Sequence, residues 1–159
     1  MEKGRAKAFI SYSHSDEMYF NRLQLHLRPL EKNYKFAYWS DRKLKAGDLW
    51  KERIIAEIEA SDVIVMLVSA DFLASDFVVE TELPRALANA QERGARIMSI
   101  LASPCLFEES ELGAFQAVNS PNETLQDMQE NNAANFERVF LRLAREIISY
   151  LKERAASEP

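Results

Sequence analysis

Apolar positions along the chain follow two periods that alternate. Residues 7–12 (KAFISY) form a short apolar, partly β-branched run that reads as a strand. It ends in the polar cluster Ser13-His14-Ser15-Asp16, which suits a helix N-terminus. Over 17–30, Phe20, Leu23, Leu27 and Leu30 recur at helical spacing, and Pro29 is read as the end of that helix. Residues 34–39 form a second strand rich in aromatics, followed by a charged loop over 40–48, with Asp48 expected to cap the next helix. That helix, 49–60, places Trp50, Ile54, Ile55 and Ile58 on one face. Residues 62–69 (DVIVMLVS) are nearly continuous β-branched and apolar, the pattern of a strand covered on both faces. A helix over 75–92 and a strand over 96–102 come next. Residues 104–132 are irregular, with 114–118 the candidate for a short final strand. A long amphipathic helix closes the chain through Phe136, Phe140, Leu143, Ile147, Ile148 and Leu151.

Strand and helix thus alternate with short connections. Parallel neighbours need a crossover, so this order predicts a mostly parallel sheet with helices on both faces. Open sheets of that kind bind ligands beyond the carboxyl ends of their strands. The residues after Tyr12, Trp39, Ser69 and Ala102 are therefore where chemistry is expected.

Composition narrows the function more than the fold. A length of 159 residues fits one domain able to bury its own core; 7–154 is the expected domain, with 1–6 and 155–159 read as flexible ends. A net charge of −5 argues against general binding to nucleic acid or to acidic membranes. Cys105 is the single cysteine, so no internal disulfide is possible and a reducing, cytoplasmic setting is expected. The opening MEKGRAKAFISYS reads as neither a signal peptide nor an anchor. The longest apolar run, 63–68, falls far short of the roughly 20 residues that cross a bilayer.

The usual catalytic motifs are missing. No GxGxxG, GxxxxGK[ST] or GxSxG occurs. The two histidines, His14 and His26, and Cys105 are too few for an expected transition-metal site. His26 reads as helix packing or a partly exposed face, and His14, at a strand end, is explained about as well by capping-region polarity as by catalysis. Carboxylates remain. Glu80 and Glu82 open the helix after the longest apolar strand, and two residues place them roughly 200° apart on an α-helix. The stripe formed by Val78, Val79, Leu83, Ala86, Leu87 and Ala90 leaves each acid about 80° from its centre. Periodicity does not choose between them.

Several separated segments together resemble the bacterial branch of the TIR domain family. KAFISYSHSD is similar to the family's first strand and the box after it, F-I-S-Y-S-x-x-D. YWSDRKLKAGDLWKERIIAEIEASDVIVMLVS resembles its second strand, BB loop, second helix and third strand, with Asp41, Gly47 and Trp50 matching a D…G…W pattern. SADFLASDFVVETELPRAL resembles the segment bearing the family's glutamate, and RIMSILASPCLFEESELGAFQAV its fourth strand and the stretch after that strand. The resemblance implies an α/β, flavodoxin-like three-layer sandwich with a five-stranded parallel sheet of order 2-1-3-4-5. It also implies one of two roles. The first is cleavage of NAD+ to nicotinamide and ADP-ribose or a cyclic ADP-ribose isomer, as in prokaryotic anti-phage immunity, switched on by TIR–TIR self-assembly. The second is a non-enzymatic module acting through TIR–TIR contacts alone. NAD+ would be substrate rather than cofactor, and no bound cofactor or metal is expected.

Carried over residue by residue, the resemblance assigns the catalytic acid to Glu82, which is followed by Leu83 in the family's E-L-x-x-A-L ending. The spacing departs from the family in one respect. An aromatic usually precedes the acid by four residues; Phe77 here lies five before Glu82 and three before Glu80. Phe9, Ser11, Trp39, Arg42, Ser69 and Ser75 are the candidates for substrate contact at the strand ends, with core packing the alternative for Phe9 and Trp39 and helix capping the alternative for Ser75. Asp41, Lys43, Lys45, Gly47 and Asp48 of the BB loop are assigned to assembly. One carboxylate is enough for the chemistry implied. Nicotinamide leaves a pyridinium as a neutral molecule, so the general acid of ordinary glycosidases is dispensable. The site must favour a ribosyl cation and hold the sugar still. A phosphoreceiver on a related fold is disfavoured, because Ser11 and Ser13 stand where its acidic pair would follow the first strand.

Overall fold

Alternate residues of each strand belong to two different cores, and that alternation builds the molecule. A computed structural model describes residues 4–43, 47 and 49–157. Its strands are β1 (Ala6–Ser11), β2 (Phe36–Trp39), β3 (Val63–Val68) and β4 (Arg96–Leu101). All pair in parallel, in the order β2-β1-β3-β4. Val63, Val65 and Leu67 of β3 enter one core with Ala8 and Ile10 of β1; Ile64, Met66 and Val68 enter the other with Phe9. Every residue of β3 is buried. A strand with no wet face has no use for polar side chains, which is why its run is unbroken.

Helices α1 (Glu17–Asn33), α5 (Leu125–Asn131) and α6 (Ala133–Ala156) cover the first face. Helices α2 (Trp50–Ala60), α3 (Ala70–Ala74) and α4 (Leu83–Arg93) cover the second. Phe20, Leu23, Leu27 and Leu30 of α1 are all buried at the spacing read from sequence. None of the described helices is long and apolar enough to cross a membrane.

The structure departs from the sequence reading in five places. Helix α1 does not stop at Pro29 but continues to Asn33. The bond Pro29 forgoes is to the carbonyl of Leu25, an exposed residue where water substitutes, and burial of Leu30 holds the last turn. Helix α2 begins at Trp50 with Leu49 as its cap; Asp48, the expected cap, lies outside the described residues, as does Lys45. The helix expected over 75–92 is present but carries a π-helical turn over Val78–Glu82 before α4, and a short helix that was not expected, α3, precedes it. Ser69 starts α3 by accepting a hydrogen bond from the Phe72 amide at 3.1 Å. Helix α6 reaches Ala156, two residues beyond the boundary expected at Arg154.

The fifth departure is the final strand. Among the described residues the sheet has four strands, and the candidate at 114–118 is reduced to one parallel bridge, Ser99 with Ala117. A side chain does the rest of the strand's work. Asn119 accepts from the Leu101 amide at 2.8 Å and donates to the Leu101 carbonyl at 3.0 Å. Thr124 and Asp127 then form a capping box that starts α5.

Candidate active site

The carboxyl ends of β1 and β3 open into a hollow of ≈ 330 Å³. That volume lies at the small end of the range for ligand sites. Tyr12, Ser13 and His14 line it from the end of β1, Asp41 from the turn after β2, and Trp50 and Ile54 from α2. Phe72, Ser75, Phe77, Val78 and Glu82 complete it from the α3–α4 side. Hollows of ≈ 370 Å³ beside α4 and ≈ 400 Å³ at the outer edge of β4 have only exposed acids in their lining.

Glu82 forms part of this lining and is 7% exposed. Its Oε2 accepts a hydrogen bond from the Ser11 hydroxyl, at the last position of β1. Burial pushes the Glu82 carboxyl up from the ordinary 4.5 to about 7; the Ser11 bond opposes the rise and the negative charge of Asp41 adds to it. Glu80, two residues earlier, is exposed. The ambiguity left by periodicity is thus resolved geometrically: of the two acids, Glu82 is the one in the hollow.

The π-helical turn explains the irregular spacing of Phe77 and Glu82. It is closed by the Leu83 amide bonding to the Val78 carbonyl, an i+5 rather than an i+4 link. Residues five apart are therefore brought to the same side, as residues four apart are in an α-helix. One extra residue is absorbed, and Phe77 and Glu82 line the same hollow. The same phase shift exposes Val79, at 47%, although the α-helical stripe assigned it to the core. Such turns concentrate at functional sites, because a side chain there is re-aimed without breaking the helix.

Aromatic groups form the mouth. Trp50 is 54% exposed and meets the half-buried Phe77 edge to face at 4.9 Å between ring centres. The sequence reading placed Trp50 on a buried helix face. It stands at the first turn of α2, past the edge of the core, with Phe77 against its ring.

Other candidates are placed differently from the sequence reading. Phe9 and Trp39 do not line the hollow; they are buried and stacked on each other at 5.7 Å, with Arg53 over the Trp39 ring. Ser11 is engaged with Glu82. Ser69 caps α3 and donates to Asp16, a second buried carboxylate raised by burial, so its hydroxyl is committed to the fold. Arg42 turns towards α1, paired with Glu17 and lying over Phe20 at 5.0 Å. Ser75 both lines the hollow and accepts from the Val78 amide at 3.3 Å, so it contributes to both roles considered for it. Asp41, assigned to assembly, lies in the hollow's wall 3.3 Å from His14 Nε2. Gly47 has φ +93°, a left-handed conformation that favours glycine. Tyr12, His14, Trp50, Phe72 and Phe77 were missed as lining residues. The spacing of Phe77 to Glu82 was the signal available for one of them.

Fold and hollow together define an α/β domain of flavodoxin type with a buried carboxylate at its strand ends. The chain belongs to the TIR domain family, whose profile, described as "TIR domain", matches residues 8–140. A protein of Sinorhizobium fredii (strain NBRC 101917 / NGR234), y4lF, described only as uncharacterised, is 34% identical over 110 residues. Those residues are 69% of this chain and 34% of that protein, so the chain spans about a third of its relative's length. Among solved structures, the TIR domains of the activated Roq1 resistosome recognising the effector XopQ superpose with a TM-score of 0.54. The match covers 88% of this chain and 84% of that one at 15% identity, which shows a shared fold.

Proposed function

We propose that this TIR domain is an NAD+ glycohydrolase of the prokaryotic immune type, acting in the cytoplasm and activated by self-assembly. The observation that supports this best is the Glu82 carboxyl, buried in the wall of a hollow whose mouth is aromatic. An ionised Glu82 stabilises positive charge developing on the ribose as the bond from C1′ to the pyridinium nitrogen breaks. The bonding pair passes to that nitrogen, and nicotinamide departs neutral, needing no proton. Water then adds to C1′ and loses its proton, giving ADP-ribose; attack by a ring nitrogen of the same molecule's adenine, with loss of a proton, gives a cyclic ADP-ribose, one water poorer. The exposed edge of Trp50 beside Phe77 offers a flat apolar surface to the nicotinamide ring.

The test is nicotinamide release from NAD+, resolved by chromatography, across a wide range of protein concentration. Turnover per molecule is expected to rise with concentration, as contact with a partner raises the population of the competent form. Proline cannot adopt φ +93°, so Gly47→Pro is expected to weaken self-association and lower nicotinamide release at least tenfold. Constant specific activity across the range would remove the assembly step from the proposal.

Deletion of the exposed Glu80 gives a second test, directed at the π-helical turn. It is expected to leave a continuous α-helix in which Phe77 and Glu82, now four apart, still face one hollow. Nicotinamide release should stay within about tenfold of the parent, since the catalytic geometry is kept. A loss as complete as in Glu82→Ala would show that the i+5 turn itself is required.

The alternative is a TIR interaction module without catalysis. Leu49, Trp50 and Val79 favour it, since these exposed apolar residues lie on elements bordering the hollow and suit contact with another TIR domain. That reading predicts association with no NAD+ loss at any concentration.

A further inference from the structure

On β1 and β3, the face under α2, α3 and α4 is apolar at every buried position but one. Phe9 of β1 and Ile64, Met66 and Val68 of β3 pack there. Ser11, two residues beyond Phe9 and paired with Met66, takes the next place on that face. It is buried, so its hydroxyl needs a partner inside the protein. That partner is Glu82 Oε2, and the hydroxyl donates to it. The other oxygen, Oε1, carries no hydrogen bond from the described residues and is not one of the sealed, unpaired atoms of the interior. It is the oxygen left open to the hollow that Glu82 lines.

The bond does not count equally in both states of the carboxyl. A hydroxyl donating to a carboxylate makes a charge-assisted bond, roughly twice as strong as one between neutral groups. Ser11 therefore favours the ionised form. Burial and the negative charge of Asp41 both act the other way. The remaining charged side chains of the surrounding elements are engaged elsewhere. Arg53 lies over Trp39 and pairs with Glu57, Arg85 pairs with Glu59, and Asp71, Asp76 and Glu80 are exposed. His14 lines the hollow beside Asp41, and Arg42 acts on Tyr12.

We infer that Ser11 is a positioning residue of this site: its hydroxyl ties Oε2 to the end of β1 and keeps Glu82 a carboxylate, with Oε1 left for the ribose. The sequence reading had Ser11 touching substrate; here it acts through Glu82 instead. The ribose part rests on the glycohydrolase reading. The hold on the charge is a property of the fold, and it is measured without NAD+.

The experiment follows the Glu82 carboxyl by NMR in protein labelled with 13C at its glutamate side-chain carboxyls, the signal being assigned by its loss in Glu82→Gln. In Ser11→Ala the titration midpoint should rise by about 1–2 pH units, the worth of one hydrogen bond to a charged group. Nicotinamide release by the concentrated protein should follow the charge. Its kcat/KM in Ser11→Ala should fall about 5–50-fold at pH 7 and return to within about threefold of the parent at pH 9. Ser11→Thr keeps the hydroxyl and should titrate within about half a pH unit of the parent. An unmoved midpoint in Ser11→Ala, or a rate loss equal at pH 7 and pH 9, overturns the inference, because a residue that only fills space leaves proton affinity alone. So does a Ser11→Thr protein that titrates like Ser11→Ala. Should Ser11→Ala fail to fold, Ser11→Cys takes its place: its thiol donates weakly, and a rise of at least about half a pH unit is required. A midpoint that rises while no protein, parent included, releases nicotinamide would overturn the glycohydrolase reading and leave the hold of Ser11 on the Glu82 charge standing.

Discussion

Glu82→Gln is expected to lose nicotinamide release by about 1,000-fold, the effect of removing a principal electrostatic group, while melting several degrees higher than the parent at pH 8. A catalytic substitution that stabilises the fold is the mark of a charge held where the fold does not favour it. Raising a carboxyl from 4.5 to about 7 corresponds to roughly 3 kcal/mol against its ionised form. Glutamine keeps the side chain's shape and offers its carbonyl to the Ser11 hydroxyl, yet it cannot ionise. Its NH2 group has no acceptor waiting for it, which returns some of the gain. A net stabilisation of about 1–3 kcal/mol remains, or about 2–12 °C for a domain of this size.

The sign of the pH dependence separates this explanation from simple repacking. The folded state holds the Glu82 proton more tightly than the unfolded chain does. Protonated Glu82 therefore contributes its full stability below about 4.5, and that contribution is lost as pH rises through about 7. Glutamine is indifferent to pH, so its advantage should be small at pH 4.5 and complete above pH 7. Thermal melts of both proteins at several pH values measure this directly, and an advantage equal at pH 5 and pH 8 would remove the buried charge as its cause. Catalysis has the opposite requirement. Only the ionised carboxylate stabilises the ribosyl cation, so kcat/KM for NAD+ in the parent should rise with pH through a midpoint near 7.

The same buried carboxylate shows how far sequence carries. Strand β3 and helix α1 were legible because their periods, continuous apolar in one and 3.6 residues in the other, admit one placement each. By periodicity Glu82 was legible only as one of two acids, and the family resemblance chose between them. A regular α-helix sets one phase, whereas the turn over Val78–Glu82 is closed by an i+5 bond, whose trace in the sequence is the five-residue spacing of Phe77 to Glu82. Ser11 and Ser69 were read as facing a ligand because they end strands. Each instead holds a carboxylate, Glu82 and Asp16, contributed by a segment 71 or 53 residues away, and a pairing that distant leaves no trace in spacing. Asp41 was read with its loop and not with the hollow it lines, for a related reason: a loop residue's direction depends on what the neighbouring elements leave open.

Asn119→Ala should give the largest loss of stability short of emptying a core. The outer edge of β4 would ordinarily be closed by a fifth strand. Here only the Ser99–Ala117 bridge survives, and Asn119, 5% exposed, supplies the missing pairing at Leu101 from its side chain. Its oxygen accepts the Leu101 amide, and its nitrogen donates to the carbonyls of Leu101 and of Glu123, each at 3.0 Å. Alanine leaves the amide and carbonyl of Leu101, a residue 1% exposed, without partners. Each such group costs about 1–3 kcal/mol, while Glu123 is exposed and regains its bond from water. A loss of about 3 kcal/mol results, lowering the melting temperature by about 6–12 °C. The Leu101 amide should lose its protection from hydrogen exchange while the amides of β1 and β3 keep theirs, because the damage is confined to the edge. Nicotinamide release measured well below the melting temperature should be unchanged, since the hollow lies at the ends of β1 and β3 and Asn119 does not line it. Asn119→Asp tests the direction of the bonds. It keeps the acceptor for Leu101 but turns a carboxylate towards two carbonyls, so it should destabilise more at pH 7 than at pH 4. An Asp variant as stable as the parent at neutral pH would mean that Asn119 does not stand in for the absent strand.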